Sequence, residues 1–385
     1  MATAGRHHVV SLFIIDRLKP TMSANPETST TRRPGFAVVG LGKMGIMHAS
    51  MLSAVPGSFV SALVEPDVKT AAQTQSMIGT GQIFADLESC LDTARPAGVI
   101  LATPQFTHRA LLESCLERRV PVLCEKPMAH TLADARLMAQ AAARHPDVPV
   151  AIGYMLAHNP LFTRAGELLQ AGVLGQVKSF RASCRLSQVF SPKQGWTFTA
   201  ERSGGGVLIN SGCHLLYVLQ GLFGLPQSVY ALAAGVHNTV EDTLHAVLEY
   251  ANGLFGALEV TWSVPGHDLQ THDIEIIGTK GTLTVGNLSL RLWLAQRQAE
   301  YSSGWTEWPR HALPPRAPFT LSPDYCGDEF YLEVADFVDA VLHKHPPKVG
   351  VEPALKTQLL LEALYRSAAQ HHPVELASLE VEVPA

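Results

Sequence analysis

The 385-residue chain has little charge and few aromatics: Asp, Glu, Lys and Arg make up 16% of it, and Phe, Trp and Tyr 7%. Its net charge is −5 and it has no Lys/Arg-rich run, so it offers no basic stripe for a nucleic acid. No apolar stretch reaches the roughly 18 residues of a membrane span, so a membrane partner is not expected. The six cysteines, at 90, 115, 124, 184, 213 and 326, have no C-x-x-C spacing. Most sit in apolar runs, which suggests buried thiols in a reducing compartment and a cytoplasmic protein. There are 17 histidines, and His267 and His272 lie close, but no set has metal-ligand spacing and no metal is expected. No internal repeat is visible.

What remains is a chain with 46% hydrophobic residues, long enough for two domains. Residues 1–34 differ from the rest. Thr21 to Arg33 is rich in Ser, Thr and Pro. Val9 to Ile15 is interrupted by Ser11 and makes a poor secretory segment. This part reads as a disordered extension, with Met22 as an alternative start.

The apolar run Phe36 to Val39 reads as a buried parallel strand. Gly40-Leu41-Gly42-Lys43-Met44-Gly45 follows at once, with G-x-G-x-x-G spacing, and Ile46 to Val55 reads as a helix. The first glycine permits a tight turn, the second lets the backbone approach a pyrophosphate, and the third lets helix and strand pack closely. The helix N-terminus adds N–H groups and partial positive charge. A second apolar run, Phe59 to Val64, ends at Glu65, placed to accept hydrogen bonds from both ribose hydroxyls of NAD and to repel the 2′-phosphate of NADP. NAD is therefore favoured over NADP, although Lys69 nearby could soften the discrimination. Glu65 could also simply open the loop Glu65-Pro66-Asp67.

Further strand–helix units follow: Gly98 to Ala102, closed by Thr103-Pro104, with a helix from His108 to Arg118, then Val120 to Cys124, followed by Glu125-Lys126-Pro127 and a helix capped by Thr131. With Val148 to Gly153 this alternation predicts a doubly wound parallel sheet, a Rossmann domain over 35–155. From Leu161 a helix runs to about Gly172, then a strand from Val177 to Leu186. Ser203-Gly204-Gly205-Gly206 opens another helix. Beyond Pro226 the pattern becomes period-2 and β-branched: Ser228–Ala234, Asp242–Tyr250, Leu254–Ser263, His272–Gly278 and Gly281–Val285. Helices are predicted at Glu329–Lys344 and Glu352–Gln370. Residues 156–376 thus read as an α+β domain with a large open, mostly antiparallel sheet, and Arg297–Asp324 as a loop or insertion.

Lys126 stands at the tip of a parallel strand, where an ammonium can hold a reacting hydroxyl and stabilise charge developing on its oxygen. Asn210 and His214 are i and i+4 on the helix after the triple glycine and are expected on one face. Histidine is suited to proton transfer near neutral pH, with Asn210 as an orienting partner. The bland alternative is a polar pair hydrogen-bonded to the preceding loop.

With these pieces in this order, the chain resembles the glucose–fructose oxidoreductase / inositol dehydrogenase (Gfo/Idh/MocA) family over about residues 36–376. The likeness rests on Gly40 to Gly45, Ala102-Thr103-Pro104, His108, Glu125-Lys126-Pro127, Gly204 to Leu208, Ile277 to Leu283 and Asp336 to Ala340. It implies NAD(P)-linked oxidation or reduction at a hydroxyl of a sugar, polyol or related small molecule, in a homodimer or homotetramer joined through the open sheets. It implies cofactor contacts at Gly40, Gly42, Lys43, Met44, Gly45, Glu65, Thr103, Pro104, His108, Glu125 and Lys126, and catalytic roles for Lys126 and His214 with Asn210. Met155 and His158 fall toward the substrate. In many members the turn shaped by Pro127 contains a cis peptide. The family often has Asp where this chain has Asn210, which implies proton transfer that is weaker or rerouted. It often has Arg where this chain has Ala157, and His158 beside it is either a replacement donor or an interior histidine. Two other readings share the fold: an enzyme that recycles a tightly bound NAD, and a non-catalytic dinucleotide or sugar sensor.

Overall fold

A computed structural model describes residues 33–267, 269–319 and 328–380 of the chain. Nearly all of the predicted N-terminal extension, and Cys326, lie outside the described residues. The first part alternates β1 (Gly35–Val39), α1 (Lys43–Ala54), β2 (Phe59–Val64), α2 (Val68–Ile78), β3 (Gln82–Phe84), α3 (Leu87–Thr93), β4 (Gly98–Leu101), α4 (His108–Glu117), β5 (Val122–Glu125), α5 (Leu132–Ala143) and β6 (Val150–Gly153). Its six strands lie in the order β3-β2-β1-β4-β5-β6, all parallel. β4, β5 and β6 are buried at every residue, as continuous apolar runs in a doubly covered sheet must be. The strand order reverses at β1 and β4, and ligands of such sheets bind in the crevice outside the strand ends at that point.

The second part continues with α6 (Pro160–Gln170), β7 (Val177–Arg185), α7 (Ala200–Ser203), α8 (Cys213–Phe223), β8 (Ser228–Ala234), β9 (Thr243–Glu249), β10 (Phe255–Thr261), β11 (Thr271–Gly278), β12 (Gly281–Val285), β13 (Ser289–Leu294) and β14 (Gly304–Pro309). The chain then forms α9 (Glu329–His343), α10 (Val351–Gln370), β15 (Val374–Glu375) and α11 (Leu376–Glu380). Nine strands form one open sheet, β14-β13-β12-β11-β7-β10-β9-β8-β15, in which only β7 and β10 pair in parallel. Strand alternation sends Leu244, Ala246 and Leu248 of β9 inward and leaves His245 and Val247 outside.

The segment read as a loop over Arg297–Asp324 contains β14, which closes the sheet edge against β13 from Ser289↔Pro309 to Leu294↔Gly304. Its burial alternates only weakly because it is an edge strand, so the hydrophobic period is faint. Within Ala200–Phe223 one 18-residue stretch is apolar enough to cross a membrane, but 67% of that stretch is buried within the protein, as suits a core segment. Cys90, Cys115, Cys124, Cys184 and Cys213 are buried and no disulfide joins them.

The C-terminal helices return to the first sheet. Phe337 of α9 meets Phe36 of β1 edge-on with ring centroids 6.0 Å apart. α10 packs on both α5 and α8. Near the crevice, the Gln105 amide donates to Ser203 O at 2.6 Å and ties the β4–α4 connection to α7.

Candidate active site

The predicted cofactor residues gather at the C-terminal ends of β1, β2, β4 and β5. Gly40 has φ +81°, and a Cβ there would come within 2.8 Å of Ala102 O. A Cβ on Gly45 would meet Gly40 O at 1.8 Å, so turn and helix touch only because both residues are glycine. Gly42 differs: a Cβ there would have nothing within 4 Å. It is the N-cap of α1, and no side chain caps that helix. Packing within the protein leaves Gly42 unexplained, whereas a pyrophosphate lying against the turn explains it, so the residues fit a dinucleotide. The Glu65 carboxylate accepts from the N–H of Leu41 at 2.9 Å and of Asp67 at 3.2 Å, which fixes a negative charge beside the turn.

Thr107 Oγ1 donates to Thr103 Oγ1 at 2.7 Å. His108 is buried, with Nε2 2.9 Å from Thr103 O and Nδ1 3.2 Å from Pro127 O. Burial pushes its pKa down. It therefore links the β4 turn to the β5 turn from beneath.

Lys126 follows β5 directly, and the Lys126–Pro127 peptide is cis. Its Nζ donates to Asn210 O at 2.6 Å and its N–H donates to Glu125 Oε2 at 3.0 Å. Glu125 Oε1 lies 2.7 Å from His48 Nε2 in a buried pair. Burial alone would raise the Glu125 pKa, but the His48 hydrogen bond and the charges of His48 and Lys126 outweigh it and hold the carboxyl below its ordinary value. Glu333 of α9 behaves oppositely. Burial, then the charges of Glu125 and Asp336, push it well above the ordinary carboxyl range.

His214 lies in the first turn of α8, and its ring sits between two others. Tyr154 meets it edge-on at 6.1 Å and His272 of β11 does so at 6.1 Å from another side. Its Nδ1 is buried without a hydrogen-bond partner. Burial, then the charges of Lys126 and His272, push its pKa well below 6.5, so the ring is neutral at neutral pH. His272 Nε2 lies 3.0 Å from the Gln270 amide nitrogen and its Nδ1 3.3 Å from Asn287 Oδ1. Burial pushes His272 down to about 4.

Asn210 does not orient His214. The chain over Leu208–Gly212 is a π-helical turn, which breaks the simple i, i+4 register. The Asn210 amide donates back to Gly206 O at 2.8 Å, and its backbone carbonyl holds Lys126. The preceding turn is set by Glu241, whose carboxylate accepts from the N–H groups of Gly206 and Leu208 at 2.7 and 3.0 Å and from Tyr365 Oη at 2.8 Å. Met155 and His158 are both buried. Burial and the nearby Lys348 push His158 down to about 3, which marks a neutral interior histidine.

Comparison with known proteins identifies both parts of the fold. Residues 35–154 match the NAD-binding Rossmann fold and residues 166–376 the C-terminal alpha/beta domain of the Gfo/Idh/MocA oxidoreductases. The chain belongs to the Gfo/Idh/MocA oxidoreductase family. Among its relatives is a D-apiose dehydrogenase of Paraburkholderia graminis, 26% identical over 95% of this chain and 96% of that protein. Another is an inositol 2-dehydrogenase of Rubrobacter xylanophilus, 28% identical over 83% of this chain and 93% of that protein. A levoglucosan dehydrogenase solved with NADH and levoglucosan shares the fold, with a TM-score of 0.81 and 21% identity over 90% of this chain and all of that one.

This Gfo/Idh/MocA protein is thus an NAD-binding oxidoreductase with a Rossmann domain and a mostly antiparallel second sheet. The sequence reading missed four residues around its site: His48, Glu241, His272 and Glu333. His272 had a usable signal, since it shares the inward face of β11 with Ile274 and Ile276. His48 and Glu333 lie within predicted helices, and only the tertiary structure brings them to Glu125.

Proposed function

We propose that this oxidoreductase moves a hydride between NAD and a hydroxyl or carbonyl carbon of a sugar, polyol or related small molecule. One observation carries the reading: the Lys126 ammonium, held by Asn210 O at the end of β5, lies close enough to a buried neutral His214 to depress its pKa. The relatives named for D-apiose and inositol support the substrate class. When bound, NAD supplies the hydride acceptor. Lys126 Nζ has donors left after its bond to Asn210 and holds the substrate oxygen. Neutral His214 takes the proton that leaves this oxygen on oxidation and returns it on reduction. Glu65 selects NAD by placing a carboxylate where NADP carries a phosphate.

The test is fluorescence titration with NADH and NADPH, followed by a panel of sugars and polyols added to the NAD complex. Tighter NADH binding and NAD reduction by a panel member are expected. Lys126→Met should keep NADH affinity and lower turnover by about 10²–10⁴-fold. Unchanged turnover in that variant overturns the assignment.

We also infer a homo-oligomer joined through the outer face of the nine-stranded sheet. That face exposes Phe255, Leu232 and Val247 on the neighbouring strands β8, β9 and β10, and Trp305 on β14. Light scattering should give a dimer or tetramer mass; a monomer at micromolar concentration contradicts it.

A further inference from the structure

We propose that Asp339, His343 and His345, at the far end of α9, form a binding site for a divalent transition-metal ion of the zinc class. One ligand atom from each residue lies within 4.8 Å of the other two. His343 Nδ1 is 2.8 Å from Asp339 Oδ1, and His345 Nε2 is 2.8 Å from Asp339 Oδ2. Two imidazole nitrogens and a carboxylate oxygen suit zinc or a neighbouring late first-row ion, and they leave coordination positions for water.

The backbone explains how residues 343 and 345 reach one carboxylate. In a continuous helix, positions two apart point to nearly opposite sides. Here α9 stops at Lys344, which adopts the left-handed conformation with φ 55° and ψ 49°. The chain reverses, the His345 N–H returns to Ala340 O at 3.2 Å, and the imidazole swings back over Asp339. His343 reaches the same carboxylate by ordinary i, i+4 spacing.

A separate contact orients the second ring. His345 Nδ1 lies 2.8 Å from Pro346 O and donates to it. That bond fixes the proton on Nδ1 and turns Nε2 toward the cluster, as outer hydrogen bonds do for metal-bound histidines. The site also lies at the C-terminus of α9, where the helix dipole favours a cation. The Asp336 carboxylate, held by the Lys348 N–H at 2.9 Å, adds negative charge nearby, and Lys348 carries the local positive charge. The ion takes the place of protons on the two ring nitrogens that now face Asp339. It would clamp the last turn of α9 to the segment leading to Val349, whose carbonyl accepts from Ile152 N–H at 3.0 Å on β6.

The proposal does not depend on the function assigned to the active site. Isothermal titration of the chelator-treated full chain with zinc chloride tests it, beside His343→Ala, His345→Ala and the double variant. The wild-type chain should bind one ion per chain at this site, each single variant should weaken that binding by about tenfold or more, and the double variant should lose it. Zinc should raise the melting temperature of the wild type and leave that of the double variant unchanged. Asp339 and His343 are exposed and His345 is half-buried, and retained NADH affinity reports that the variants are folded. Absence of saturable binding by the wild type overturns the proposal. So does equal zinc affinity and stoichiometry in the double variant, which would place the ion elsewhere.

Discussion

At the level of single residues, the unusual feature is what surrounds His214. Its Nδ1 has no partner, the charge of Lys126 lowers its pKa, and the residue four positions earlier is an amide turned toward Gly206. Every nearby influence therefore favours the neutral ring. If His214 is the base proposed above, it is competent throughout the neutral range and loses function only when pH falls through its depressed pKa. The acid limb of the oxidation profile should lie below 6.5. Asn210→Asp puts a carboxylate where the amide donor now meets the Gly206 carbonyl. Two oxygens repel there, so the new side chain should turn toward Lys126 and His214. A negative charge near His214 raises its pKa, and the acid limb of kcat should move upward by about one unit or more. A limb that stays in place would mean that residue 210 has no electrostatic access to His214.

At the level of elements, the turn between β1 and α1 separates two uses of glycine. Gly45 has no room for a Cβ because Gly40 O would lie 1.8 Å away, while Gly42 has open space in front of it. Gly45→Ala should push α1 off β1 and destabilise the protein by a few kcal/mol, about 2–3, as overpacked sites do. Gly42→Ala should cost only about 0.5–1 kcal/mol, the difference between these residues at an N-cap, yet weaken NADH binding by about tenfold or more. Thermal melts beside NADH titrations of both variants check this; a Gly42→Ala protein with native NADH affinity would show that no ligand approaches the turn there.

The same element shows why some of the fold was readable in the sequence. The glycine spacing, Glu65 and Lys126 are local signals fixed to strand ends, and the structure brings all of them to one side of the sheet. Residues 66–97 carried no such signal: β3 has three residues, and α2 buries only Ala71 and Thr74. β14 was missed because an edge strand alternates faintly. The π-helical turn at Leu208–Gly212 was invisible because its residues fit an α-helical pattern equally well, and that turn aims the Asn210 carbonyl, rather than its amide, at Lys126.

At the level of the whole molecule, the fold buries His158 and His272 as neutral rings, which ties global stability to pH. His158 has a folded pKa of about 3, set by burial and by Lys348, against about 6.5 in an unfolded chain. Between those values the unfolded chain carries a proton that the folded chain lacks. The contribution is complete above about 6.5 and falls by about 1.4 kcal/mol per unit as pH drops below it. His272, at about 4, acts in the same direction. Glu241, Glu329 and Glu333, all raised by burial, act oppositely, since the folded form keeps protons that the unfolded chain has lost. The net curve mixes both signs, so a difference between two proteins isolates one group. His158→Gln removes the titration while keeping a polar side chain of similar length. Urea unfolding from pH 6 to pH 4 should show the variant losing stability less steeply than the wild type, by about 1.4 kcal/mol per unit, whatever constant offset the substitution adds. Parallel curves would mean that His158 takes up its proton in the folded state as readily as in the unfolded one, and that it faces solvent or a substrate pocket rather than the interior.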